Sequence, residues 1–286
     1  MTIPYPDYKP PLIISFKLRG KARKNKSDQE LASSEADFSE ARPEVLRRDK
    51  YSCQYCGVAT TPESEKSGGG LQVHHISGDS NDNEWTNLLT VCPLCHAILH
   101  FMHSTDAKDM LPRLGEDPAR YAAAVEERRA IRSSMRIVHL PWISQENLNL
   151  LSWGMAIVRC RSGKMTEEKL TREELEIRDT ADELTNMLVL HGSIPDDFFP
   201  QDHARESGQL ENAENLAKAM VEIRKKLPKE YAERENLLEG LRVFFHPEAL
   251  ANVGVVARFS DAKPWMGGTN WAKDWRAATD GRRNEA

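Results

Sequence analysis

Two C-x-x-C knuckles, CQYC at 53–56 and CPLC at 92–95, place four thiols where each pair can turn towards one ion. Two such pairs suit a closed tetrahedral Cys₄ zinc site. A redox pair or scattered core cysteines are the other readings, but neither accounts for a double knuckle, and neither motif follows a βαβ pattern. Cys53, Cys56, Cys92 and Cys95 are therefore expected to hold structural Zn²⁺. Directly after Cys95 comes HAILHFMH. At about 100° per residue, His96, His100 and His103 fall within an arc of about 60°, with Leu94, Ile98, Phe101 and Met102 on the other side. The i, i+4 pair His96 and His100 has a metal-binding spacing on a helix. Upstream, LQVHHISGD at 71–79 reads as a strand carrying His74 and His75 next to each other. Neighbours on a strand point to opposite faces, so two adjacent imidazoles imply two different tasks.

These residues need a frame to hold them. Four of the chain's five cysteines and five of its nine histidines lie between 41 and 104. That segment reads as a compact metal-dependent module, too small to rest on an apolar core alone. Pro93 suits the first turn of the helix that carries the histidines. Before the module, residues 1–40 read as a flexible basic arm. It has prolines at its start and KLRGKARKNK at 17–26, a run that is either a solvated segment or a phosphate-contacting one.

From 105 to 286 the composition turns to helix formers. Ser144 caps an expected buried helix ending near Cys160, itself read as core. Thr171 and Glu174 form a capping box for another helix, stopped at Gly192. A third helix is expected from about 206 to Leu227 and a fourth over roughly 229–245. The region after 160 is expected to be stable without help from the zinc. The tail KPWMGGTNWAKDW at 263–275 holds three of the six tryptophans, packed on their own domain or presented to a partner. The fold class is thus α+β: a small zinc-stapled module followed by a mainly α-helical C-terminal region.

The chain has 286 residues, 40 % of them hydrophobic and 29 % charged, with a formal charge of −5. That balance argues against a globally basic nucleic-acid binder and leaves a local basic surface open. The longest charge-free apolar run, NLNLLSWGMAIV at 147–158, is too short to span a bilayer. No secretory signal is visible. A cytoplasmic protein with reduced cysteines and no membrane insertion is expected.

RPEVLRRDKYSCQYCG, LQVHHISGD and NEWTNLLTVCPLCHAILH, read in order over 42–100, resemble the HNH nucleases and their ββα-metal fold. The resemblance implies metal-dependent hydrolysis of DNA. By it, His74 is a metal ligand, His75 the general base, and Asn87 the middle asparagine that braces the loop and the base. His96 is then a second ligand and His100 a third, for Mg²⁺ or another divalent cation. MRIVHLPWISQENLNLLSWGMAIVRC at 135–160, following such a module, resembles the IcmJ/DotN family of type IVB secretion and conjugation systems. That implies coupling-complex proteins as partners. Two functions follow, an active endonuclease and a non-catalytic zinc-stabilised adaptor. The first needs a cationic path, for which the 17–26 run and Arg47, Arg48 and Lys50 are candidates. The second needs an apolar partner surface, for which the tryptophan-rich tail is the candidate.

Overall fold

The computed structural model describes residues 4–15, 28–66, 69–79, 81–101, 118–162, 213–232 and 238–260, with isolated helical positions at 172, 175 and 185. Its elements run α1 (Asp28–Arg48), α2 (Pro62–Lys66), β1 (Gln72–His75), β2 (Leu88–Val91), α3 (Pro93–Leu99), α4 (Pro118–Ser133), β3 (Met135–His139), α5 (Gln145–Ser162), α6 (Ala213–Lys226), α7 (Lys229–Ala232), β4 (Leu241–Phe245), α8 (Pro247–Ala251) and α9 (Gly254–Ser260). The basic run at 17–26, His103, the capping box at Thr171 and Glu174, and the tryptophan-rich tail lie outside the described residues.

β1 and β2 form an antiparallel hairpin in the register Gln72↔Val91, Val73↔Thr90, His74↔Leu89, His75↔Leu88. Helix α3 follows at once, opened by Cys92 as N-cap with Pro93 in its first turn. The missing N–H of proline is harmless there. This gives a ββα arrangement, as the resemblance to HNH nucleases implies. The knuckle ahead of it is closed by two backbone bonds, Cys53 N–H to Val58 O at 2.8 Å and Gly57 N–H to Cys53 O at 2.9 Å. Gly57 has φ +79°, a left-handed conformation that a side chain would oppose.

The N-terminal residues depart from the arm expected over 1–40. Leu12 and Ile14 are buried in the main core, and the Tyr55 hydroxyl donates to Pro10 O at 2.8 Å. Residues 10–15 thus find a partner in the knuckle, while α1 crosses residue 40 without a break.

Among the described residues beyond the module, one expected helix is in part a strand. Of the stretch 229–245, Lys229–Ala232 are helical, whereas Leu241–Phe245 form strand β4. LRVFF is rich in β-branched and aromatic residues. It pairs antiparallel with β3, from Met135↔Phe245 to His139↔Leu241. Gly240, at φ +87°, sets the turn into β4, and a Cβ there would lie 2.6 Å from the His139 ring. Helix α5 fits its sequence reading. Ser144 Oγ accepts from Asn147 N–H at 3.2 Å, and the helix is apolar all round because it packs on two sides. Trp153, Ala156 and Ile157 join the main core, whereas Leu148, Leu151, Met155 and Val158 face a second cluster with Val138 and Phe244. Cys160 packs, half-buried, against the main core.

That core is continuous from Leu12 through the cysteines to Met220 and Phe259. The described residues after 160 thus share one apolar core with the cysteines. β4 is stitched to α5 by Gln145, whose amide donates to Val243 O at 2.7 Å and accepts from Val243 N–H at 2.8 Å. One side chain thus takes the place of a neighbouring strand on a two-stranded sheet.

Gln145→Ala should leave both backbone groups of Val243 buried without partners, at a cost of about 2–4 kcal/mol. Chemical denaturation followed by circular dichroism will measure it; a midpoint equal to wild type would show that the amide is dispensable.

Candidate metal centre and active site

The two knuckles meet at one point. Cys53, Cys56, Cys92 and Cys95 are all buried, with their sulfurs within 4.8 Å of one another. Cys56 Sγ and Cys92 Sγ are 3.6 Å apart. Sulfurs on a tetrahedral zinc at about 2.3 Å stand about 3.8 Å from each other, so the donor set fits that ion. The thiols also need one. Burial pushes the Cys56 and Cys95 thiols well above the ordinary value of 9.0, and the other cysteines add to it. Cys53 is held well below that value because hydrogen bonds from Cys56, Cys92 and Cys95 outweigh its burial. One thiolate can be solvated by three thiols; four thiolates in this enclosure require a cation.

Further donors come from outside the ββα unit. Trp153 Nε1–H donates to Cys92 Sγ at 3.2 Å, and Asn149 Nδ2–H donates to Cys95 Sγ at 3.2 Å. Both residues sit on α5 at i, i+4 and both are fully buried. Asn149 Oδ1 accepts in turn from Gln145 Nε2–H at 2.9 Å. A line of buried polar groups therefore runs from a cage sulfur to strand β4. The i, i+4 placing of two donors in an apolar helix is a signal in the sequence, but it does not say what they face.

A second convergence lies on the exposed side of α3. His74, His96 and His100 bring ring nitrogens within 4.8 Å of one another, with His100 Nε2 3.2 Å from His74 Nδ1. The three rings meet edge to face, their centroids 4.6–5.4 Å apart. Nitrogens on one first-row ion stand about 3 Å apart, so this set also fits a divalent cation. Burial first, then the neighbouring His100 and His74, hold His96 well below the ordinary histidine value of 6.5. It is thus neutral at physiological pH, with a lone pair available.

His75 is turned to other company. Its ring stacks on Phe38 of α1, centroids 5.2 Å apart at 29°, and its Nε2 is 2.9 Å from Asn83 Oδ1. Asn87 shapes the loop between β1 and β2. Its Oδ1 accepts from Ser77 N–H at 2.8 Å and its Nδ2–H donates to Asp82 O at 2.7 Å. Two asparagines therefore share what the sequence assigned to one. Asn87 braces the loop, and Asn83, four residues earlier, meets the imidazole.

Residues 53–101 match the HNH endonuclease family. The segment spans the whole cysteine cage and His74, His75, His96 and His100, and the match supports an HNH domain there, with a nuclease-type, metal-binding constellation. No curated protein matches the chain.

The surroundings of the HNH domain correct the expected cationic path. Arg48 is not a phosphate ligand. Its side chain is 6 % exposed, and its guanidinium is spent on Asp49, on Trp85 O at 2.8 Å and on Leu88 O at 2.7 Å. Asp49 in turn accepts from Thr90 N–H at 2.8 Å. The pair ties the end of α1 to the hairpin, a role fixed by where α1 docks. Arg47 is exposed but pairs with Glu44. Lys50 is exposed in a left-handed turn with φ +55°. Beside Asn83, a cleft of about 540 Å³ between α1 and the hairpin loop is lined by Asp37, Glu40, Glu44, Asp82, Glu84 and Trp85. Five carboxylates there repel a phosphate backbone from that side. Among the described helices, none is long and apolar enough to cross a membrane.

Purified protein should carry one zinc per chain by elemental analysis, and Cys92→Ala should lose it. Trp153→Phe keeps an aromatic side chain but removes the pyrrole ring with its N–H, and should keep the zinc while weakening its hold about 10-fold against a chelator. A zinc-free wild type that stays folded would overturn the assignment.

Proposed function

We propose that this protein is a metal-dependent endonuclease acting on DNA, with His75 as general base and His74, His96 and His100 as ligands of a divalent cation such as Mg²⁺. The observation that carries the reading is the convergence of three imidazole nitrogens beside a fourth, separately held histidine, inside a segment that matches HNH endonucleases. In this reading the zinc on the four cysteines is structural. The adjacent histidines of β1 divide the work. His74 turns to α3 and the other ligands. His75, held by Phe38 and Asn83, takes a proton from the water whose oxygen attacks phosphorus as one bridging P–O bond breaks. A bound divalent cation would neutralise charge on the phosphate and on the leaving oxygen.

In the cell we place this activity in a type IVB secretion or conjugation apparatus, as a cytoplasmic component of the IcmJ/DotN kind that meets coupling-complex proteins. Support for that context is the likeness at 135–160, the stretch that supplies β3 and α5. A second reading, a non-catalytic adaptor on the same scaffold, draws on the carboxylates that line the cleft beside Asn83 and on the burial of Arg48. Both features leave a DNA strand fewer cations than a nuclease ordinarily offers.

Plasmid nicking with Mg²⁺ or Mn²⁺ separates the two. Wild type should nick, and His75→Ala should lose about 10²- to 10⁴-fold in rate while its zinc content and circular dichroism stay unchanged. His96→Ala should fail instead through weaker binding of the second ion, seen by calorimetric titration with Mn²⁺. Equal inertness of wild type and His75→Ala in every metal, together with co-purification of coupling-complex proteins, would favour the adaptor.

A further inference from the structure

We propose that Asn83 is the positioning residue of His75, fixing the tautomer and the direction of its lone pair. The inference rests on the reading of His75 as the base. A side-chain carbonyl oxygen can only accept, and Asn83 Oδ1 lies 2.9 Å from His75 Nε2. That contact requires the proton on Nε2. A neutral imidazole has one N–H, so its lone pair is then on Nδ1, and Nδ1 is the atom that takes the proton from water. With the other tautomer, two lone pairs would face each other across the same distance.

The rest of the loop gives this bond its rigidity. Asn83 lies between two residues held by Asn87, whose amide donates to Asp82 O at 2.7 Å and whose backbone N–H donates to Glu84 O at 2.8 Å. Phe38 covers a face of the imidazole at a centroid distance of 5.2 Å, which limits rotation of the ring out of the bond. Edge and face are thus held by different elements, the hairpin loop and α1. Asn87 never needs to touch the base. It sets the loop that carries the residue that does.

The test uses the full-length zinc-loaded protein labelled with ¹⁵N-histidine, at a pH where the imidazoles are neutral. Long-range ¹H–¹⁵N spectra report each tautomer directly, and His75→Gln assigns the His75 signals. Wild type should show His75 protonated at Nε2. Asn83→Ala should show averaging between the tautomers and, in plasmid nicking, a fall in kcat on the order of 10²-fold with KM little changed. Asn83→Asp, which also accepts from Nε2–H, should restore the wild-type tautomer. A wild-type His75 protonated at Nδ1, or an Asn83→Ala spectrum identical to wild type, overturns the proposal. A wild type that carries the Nε2–H signature but nicks no DNA supports the Asn83–His75 bond and overturns only the nuclease reading.

Discussion

Four buried sulfurs sit where the knuckle, α3 and α5 meet, and much of the described fold hangs on their charge being met. Cys92 and Cys95 have no exposed surface, while Cys53 and Cys56 reach 2 % and 6 %. Such a group is stable as a cluster of mostly protonated thiols or as a metal thiolate, and the latter releases on the order of 10 kcal/mol in comparable sites. The N–H groups of Asn149 and Trp153 mean that this electrostatic demand is shared with a helix more than fifty residues downstream. Indole and amide donors aimed at sulfur are costly to bury if the sulfur is absent or displaced. The cysteine cage and the sheet of β3 and β4 are therefore linked through α5, and displacing the sulfurs would strand polar groups there as well as in the HNH domain.

The same scaffold explains how neighbouring histidines acquire separate surroundings. Strand geometry sends His74 towards α3 and His75 towards α1 and the loop. His74 is 1 % exposed and meets two imidazoles one helical turn apart. His75 is half-buried against an aromatic face and an amide. Neither arrangement is produced by β1 alone. Each needs the hairpin register, which pairs His74 with Leu89 and His75 with Leu88. A slip by one residue would exchange the two faces and bring His75 to α3 instead.

Electrostatics set a direction on the site. The carboxylates of α1 and of the hairpin loop gather on the side of Asn83, whereas the imidazole cluster lies beside α3. A polyanion would be steered away from the first. Arg48, one of the cations that the sequence offered for phosphate binding, is instead the buried clasp between α1 and the hairpin. Its pairing with Asp49 and two carbonyls uses the fork geometry for which arginine is suited.

The residues whose chemistry depends on short spacing were legible from the amino-acid order. C-x-x-C brings two thiols together through one tight turn, His96 and His100 share a face through one turn of helix, and adjacent strand positions diverge. Those are local geometries, and they hold wherever the segment lies. The double knuckle, the histidine pair and the buried α5 could be named on that basis, whereas Asn87 was named only through the resemblance to HNH nucleases. Tertiary structure decided the rest. Asn83 was one polar residue among several in SNDNEW until the loop closed on His75. Arg48 looked like a free cation until α1 docked on the hairpin. LRVFF became a strand because β3, about a hundred residues earlier, offered it an edge. Asn149 and Trp153 were an unexplained polar pair in an apolar helix until the cage lay against them. In each case the partner is remote in the chain, and a hydrogen bond worth about 1 kcal/mol leaves no periodic trace in sequence by which the partner could be found.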